Sequence, residues 1–301
     1  MGITLGIVGC GEVGGIFGRG LLHKEGIEAV WVWDLKFADP DSGAAARAAA
    51  EADGLRVASG MQALCAAADL LISAVTASNT FAVAEEAARH ARAGSRFLDL
   101  NSASPGTKQR AGAVLEAAGA GYVEAGVMTS VPPYGIRVPM LLGGTQAEAL
   151  AATLCAWGMD ARAVSERLGV ASAIKMSRSI MIKGLEALVI ESYTTARRYG
   201  VEAHVLPTLA ETFPQIDWER QGAYFFSRVV QHGKRRAEEM REAAQTVRET
   251  GFEPFMAAAI AAKQDWVAQQ ARTGLFEGLD AKSPWQDYAD RLIGTGQGGG
   301  K

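Results

Sequence analysis

The chain has 301 residues, 49% of them hydrophobic and 21% charged, with a formal net charge of −3. This is the composition of a globular protein long enough for one large or two medium cores, and its charge offers nothing to nucleic acid or a membrane surface. No run reaches bilayer length and no basic-then-apolar leader with a cleavage site opens the chain. The only cysteines, Cys10, Cys65 and Cys155, are scattered as reduced thiols would be, so the expectation is a cytoplasmic protein.

In chain order, an apolar strand over 3–8 runs into Gly9-Cys10-Gly11-Glu12-Val13-Gly14, and a helix follows over 13–24. Strand, G-x-G-x-x-G and helix in succession form the dinucleotide-binding fingerprint. Gly9 permits the tight turn, Gly11 lets backbone approach a pyrophosphate, and Gly14 lets helix and strand pack closely. The first-turn N–H groups, at Glu12 and Val13, then face the phosphates. A second strand over 27–33 ends at Asp34, which lies 34 − 14 = 20 positions past the last glycine. A carboxylate there accepts hydrogen bonds from the adenosine ribose and repels a 2′-phosphate, which favours NAD. Lys36 could reach such a phosphate, which keeps NADP as the alternative. Cys10 reads as a small spacer between two glycines.

Helices are then predicted over 41–53 and 60–67, a strand over 69–75, a helix over 79–92 and a strand over 96–100. A helix over 105–118 follows, with Ser104 as N-cap and Pro105 in its first turn. Strands over 121–124 and 139–143 complete an alternation that implies a doubly wound, mostly parallel sheet. Near residue 164 the pattern changes. One long helix over 169–199 leads to helices over 202–213, 217–231, 233–250, 253–273 and 283–293. The expected fold is therefore an N-terminal Rossmann domain (1–163) joined by a long interdomain helix to an all-α domain (164–293), with a flexible tail over 294–301.

Ligands of such sheets bind beyond the carboxyl ends of the strands. Three of these ends carry small or polar residues: Ser73 to Thr76, Asn101 to Ser104, and Glu124 to Ser130. Val75, Thr76 and Asn101 are placed to line the nicotinamide half of the cofactor, although Asn and Ser also favour such loops as caps. On the long helix Lys175, Ser179 and Lys183 recur at i, i+4 and i+8, with Glu186 three residues on, so they share one face. From spacing alone a solvated face with a Lys183–Glu186 ion pair is the simpler reading. Tyr224-Phe225-Phe226 leaves an aryl-binding role open beside ordinary core packing. No His or Cys spacing suits a metal.

With these residues assembled, the chain resembles the β-hydroxyacid dehydrogenase superfamily, which includes the 6-phosphogluconate and 3-hydroxyisobutyrate dehydrogenases, over nearly its whole length. Its helical half looks most like a less-characterised branch, on the stretch Lys175-Met176-Ser177-Arg178-Ser179 to Lys183-Gly184-Leu185-Glu186-Ala187-Leu188. The resemblance makes Lys175 the catalytic general acid or base. It places Met128, Thr129 and Ser130 at the substrate, in a loop that departs from the usual D-x-P-V-S-G-G. Ser179 stands where the family has asparagine, and a hydroxyl cannot present donor and acceptor as an amide does. Ser179, Lys183 and His232 are the remaining substrate candidates. Arg178, Arg235 and Arg236 are candidate anion clamps, with Arg235 assigned to the cofactor. The resemblance thus implies an NAD(P)-dependent oxidoreductase that interconverts an alcohol and a carbonyl on a small acidic molecule, as a homodimer paired through the helical domain. Imine reduction and non-catalytic nucleotide binding are the alternatives.

Overall fold

The computed structural model describes residues 2–295. The chain divides into two compact units, the first ending at Met176 and the second beginning at Ser177.

The first unit is built on β1 (Ile3–Val8), β2 (Ile27–Trp33), β3 (Arg56–Val57), β4 (Leu70–Ser73), β5 (Arg96–Asp99), β6 (Gly121–Val127), β7 (Met140–Gly143) and β8 (Ala161–Ser165). They form one sheet in the order β3-β2-β1-β4-β5-β6-β7-β8. Strands β1 to β6 are mutually parallel, β7 is antiparallel to β6, and β8 is parallel to β7. The order reverses between β1 and β4, so the carboxyl ends of these neighbours open the crevice where such sheets take ligands.

The strands read as nearly unbroken apolar runs because both sheet faces are covered. Alternation assigns the side chains. Leu5, Ile7, Leu70, Ile72, Leu98 and Val123 enter one core. Val8, Leu71, Phe97 and Tyr122 enter the other. The covering helices are α1 (Glu12–Leu21), α2 (Gly43–Ala52), α3 (Met61–Ala67), α4 (Thr80–Ala88), α5 (Pro105–Ala117) and α6 (Ala147–Ala156). Ser104 caps α5 as expected, its Oγ accepting from Thr107 N–H with Pro105 in the first turn.

Three expectations are corrected in this unit. The domain boundary at 163/164 falls inside β8, because the unit continues to Met176. Both α6 and β8 lay unpredicted between the strand ending at 143 and the helix opening at 169. β8 is an edge strand with only Ala161 buried, so it lacks the apolar run that marks β1 or β4. Helices α1 and α4 stop short of the expected 24 and 92.

Helix α7 (Val170–Tyr199) crosses the division. The second unit continues with α8 (Glu202–Thr212), α9 (Trp218–Glu249), α10 (Phe255–Arg272) and α11 (Trp285–Thr295). Its core gathers Tyr193, Trp218, Phe226, Val229, Val267, Trp285 and Tyr288. Phe226 is thus core, whereas Tyr224 is exposed beneath the Arg228 guanidinium. The helices expected over 217–231 and 233–250 are one. Gly233 does not break α9: a Cβ there would lie 2.8 Å from the Gln264 carbonyl oxygen, so this glycine admits α10 at close range. The tail expected over 294–301 is corrected at its start, since α11 runs through Thr295, and 296–301 lie outside the described residues. Among the described residues no helix is long and apolar enough to cross a membrane.

Candidate active site

The three glycines of the first turn do three different jobs. Gly9 has φ +90°, which an L side chain rarely adopts, and a Cβ there would lie 2.6 Å from the Ala74 carbonyl oxygen at the end of β4. A Cβ at Gly14 would lie 1.8 Å from the Gly9 carbonyl oxygen, so α1 can start this close to the turn only on glycine. Gly11 differs, because among the described residues nothing beyond its own neighbours in the chain lies within 4 Å of its Cβ position. Packing inside the protein does not require glycine there; an approaching ligand would. Gly11 also gives the α1 N-terminus no side-chain cap, and the first helical bond runs from Gly15 N–H to Gly11 O (2.9 Å). Glu12 and Val13 therefore lie in a first turn whose backbone is oriented for an anion.

Asp34 closes the turn from β2. Its Oδ2 accepts from Cys10 N–H (2.7 Å) and its Oδ1 from Lys36 N–H (2.9 Å). The acidic group predicted from spacing is thus tied to the glycine loop itself. The Lys36 side chain is exposed. Burial, and then the Asp34 charge, push the Cys10 thiol up, which fits a spacer rather than a nucleophile.

Asn101 joins the neighbouring strand ends. Its Oδ1 accepts from Val75 N–H (2.7 Å), its Nδ2 donates to Ser73 Oγ (2.9 Å), and its own N–H donates to Asp99 Oδ1 (2.9 Å). The side chain is buried and clips β4 to β5. Thr76 is exposed, its Oγ1 accepting from Asn79 Nδ2 (2.9 Å). Beneath this turn, Lys108 Nζ lies 2.9 Å from Asp99 Oδ1, and Tyr122 OH donates to Asp99 Oδ2 (2.7 Å). Burial and the Asp99 charge hold the Tyr122 phenol well above its ordinary range. Sequence reasoning missed this network. Its only signal was an ionisable residue at a core position of an apolar strand.

Lys175 arrives from the second turn of α7, and its Nζ donates to Ser102 Oγ at 2.5 Å. Ser102 is the second residue sequence reasoning missed, hidden in a run of cap-like residues. The third is Glu124, read there only as the last residue of a strand over 121–124 and the start of the segment beyond it. It is buried on β6 and accepts from the backbone at the start of α7. Met128, Thr129 and Ser130 follow β6 directly, with Met128 N–H bonded to Pro139 O (2.9 Å) and Thr129 exposed.

In the second unit, Lys183 Nζ donates to Ser179 Oγ (3.1 Å) and pairs with Glu239 Oε2 (2.9 Å), with Lys183 only 6% exposed. The Lys183–Glu186 pair of the simpler reading is therefore corrected. Glu186 instead pairs with Arg236 and accepts from Gln264 Nε2 (3.2 Å). Arg236 is consequently buried in a structural ion pair and is no anion clamp. Arg235 is exposed, with Nε 3.9 Å from Glu239 Oε1, and His232 is half-buried on the same helix.

Residues 4–154, half of the chain, match the family described as the NAD binding domain of 6-phosphogluconate dehydrogenase. The chain belongs to that family. Its 6-phosphogluconate dehydrogenase-type domain is followed over residues 196–267 by a match to a Domain of unknown function (DUF1932). A conserved hypothetical protein from Sinorhizobium meliloti 1021 is 36% identical, with a TM-score of 0.77 over 97% of this chain and 96% of that one. A second conserved protein, whose structure is similar to 3-hydroxyacid dehydrogenases, is 29% identical, with a TM-score of 0.69 over 90% of this chain and 98% of that one. The 3-hydroxyisobutyrate dehydrogenase of Mycobacterium tuberculosis, solved with L-serine, shares the fold at 17% identity, with a TM-score of 0.71 over 97% and 99% of the two chains. The protein is thus a hydroxyacid dehydrogenase-like oxidoreductase with an NAD-binding domain.

Proposed function

We propose that the protein interconverts an alcohol and a carbonyl on a small acidic hydroxy compound, with Lys175 as the general acid and base. The observation that carries this reading is the 2.5 Å contact from Lys175 Nζ to Ser102 Oγ. Ser102 directly follows Asn101, which is bonded to the end of β4, in the unit that also carries the glycine turn. A lysine amine held by a serine hydroxyl at a strand's carboxyl end is in the region where ligands of doubly wound sheets lie.

Gly9, Gly11, Glu12, Val13 and Gly14 would hold the pyrophosphate, and Val75, Thr76 and Asn101 would border the nicotinamide. A dinucleotide bound there would supply the hydride acceptor in oxidation and the hydride donor in reduction. In oxidation, the Lys175 amine would take the proton of the substrate hydroxyl, while the hydride from the same carbon would go to the oxidised dinucleotide. In reduction, the lysine ammonium returns that proton to the carbonyl oxygen. Ser102 orients the Lys175 Nζ. Met128, Thr129 and Ser130, which follow β6 in the same unit as Lys175, would border the substrate.

Asp34 favours NAD, because its carboxylate would meet a 2′-phosphate with like charge. Phe252, Phe255 and Met256, exposed by 72%, 77% and 56%, support a homodimer formed through the helical unit. Free Cys10, Cys65 and Cys155 support a reducing, cytoplasmic setting.

The test is a panel of hydroxy acids, amino alcohols and imines, followed by NAD(P)H absorbance with both cofactors. Wild-type turnover on a hydroxy acid and its loss in a folded, NADH-binding Lys175→Ala variant are expected. Near-normal turnover in that variant would refute the assignment.

A further inference from the structure

The reach of Glu124 into α7 has a consequence for Lys175. Glu124 lies on a strand that is buried on both sides and is itself 0% exposed. Its Oε1 accepts from Gly169 N–H (2.7 Å) and Ala171 N–H (3.1 Å), and its Oε2 from Ser172 N–H (3.3 Å). These are donors at the start of a helix, which lack partners within the helix. A carboxylate there satisfies them and opposes the positive end of the helix dipole.

Neighbouring glycines make the reach possible. Gly143 pairs with Glu124 across β7, and a Cβ there would lie 2.6 Å from Glu124 Oε1. Gly169 turns the chain into α7 at φ +98°. Two residues along β6, a Cβ at Gly126 would lie 2.9 Å from the Ala171 carbonyl oxygen, and Lys175 Cβ is 3.4 Å from that same position. Strand β6 therefore touches the first turn of α7 at two points.

We infer that Glu124 is the positioning residue for Lys175: by fixing the first turn of α7 it sets where the lysine amine meets Ser102. Lys175 lies three residues past Ser172, within one helical turn of the cap. The Nζ–Oγ contact is 2.5 Å, so a displacement of about 1 Å takes it to the limit of hydrogen bonding. A misplacement of about 1 Å at a reacting group is worth about 10²-fold in rate. The inference deepens the reading of Lys175 as the proton-transfer group and rests on it.

Glu124→Gln is the primary variant, since it keeps shape and one acceptor oxygen; Glu124→Ala is the severe one. Three measurements on the full chain decide. Amide exchange at Gly169, Ala171 and Ser172 is expected to rise about tenfold in Glu124→Gln, as for one lost charge-assisted bond. NADH titration is expected to stay within about twofold, because the glycine turn is untouched. Acetic anhydride labelling of Lys175, read by peptide mass spectrometry, is expected to change in rate and pH dependence while other lysines label as before. Faster exchange with unaltered Lys175 labelling would make Glu124 a helix cap and nothing more, overturning the inference. Unchanged exchange would also overturn it. Retained turnover in Lys175→Ala sinks the catalytic assignment instead, and leaves the exchange and labelling results to stand or fall separately.

Discussion

Replacing Gly11 and Gly14 separately by alanine distinguishes a glycine kept for a ligand from one kept for the fold. At Gly11 the backbone sits at φ −79° and ψ −158°, open to alanine, and among the described residues nothing beyond its chain neighbours lies within 4 Å of the new Cβ. Alanine is a poorer N-cap than glycine by about 0.5–1 kcal/mol. Its smaller unfolded-state freedom returns about 0.4–1 kcal/mol. The two nearly cancel, so Tm should move by no more than about 2–4 °C. The methyl would stand where backbone must approach a pyrophosphate, so NADH affinity should fall at least about tenfold, or about 1.4 kcal/mol. At Gly14 the Cβ would meet the Gly9 carbonyl oxygen at 1.8 Å, and backbone has to move. Overpacking of that kind costs about 3 kcal/mol, which for a domain of this size lowers Tm by about 6–12 °C. Thermal unfolding and NADH fluorescence titration read both quantities. A Gly11→Ala protein that binds NADH normally, or a Gly14→Ala protein that melts like wild type, would falsify the assignment of roles.

Asp34→Asn keeps an acceptor for Cys10 N–H but removes the charge, so the ratio of NADP to NAD affinity should rise about tenfold; parallel titrations with NADH and NADPH check it. Lys108→Met leaves Asp99 buried without its cation and should cost about 3–5 kcal/mol in urea unfolding; adding Asp99→Asn should recover part of that loss, and no recovery would mean that the two do not act as a pair. The Asp69 carboxyl is held low chiefly by Thr4 N–H and also by Arg92. Its contribution to stability is therefore present above the unfolded-state pKa and lost as pH falls through the lower folded value, below about pH 4. Tm measured against pH should fall less steeply in that acid range in Asp69→Asn; an identical slope would rule out Asp69 as a contributor.

The first unit's frame and its glycine turn were legible in the sequence. Buried strands must be apolar along their whole length, and a turn that starts a helix this close to a strand end must be glycine at Gly9 and Gly14, so both leave local patterns. The acid at Asp34 was legible for the same reason, since one βαβ crossover fixes its distance from the glycines. The edge strand β8 left no such pattern because it is buried at Ala161 alone. The break expected between 231 and 233 is absent, because α9 runs unbroken through Gly233, where the missing side chain admits α10. Which charges meet emerged only once the chain was folded. Glu186 took Arg236, fifty residues away, over Lys183, three residues away, and Lys183 took Glu239. Lys175 met Ser102 across 73 positions, and Glu124 reached the N–H groups of α7 across 45 to 48. Helical spacing constrains only neighbours on one helix. Burial makes an unpaired charge costly enough that each must find its partner wherever the fold provides it.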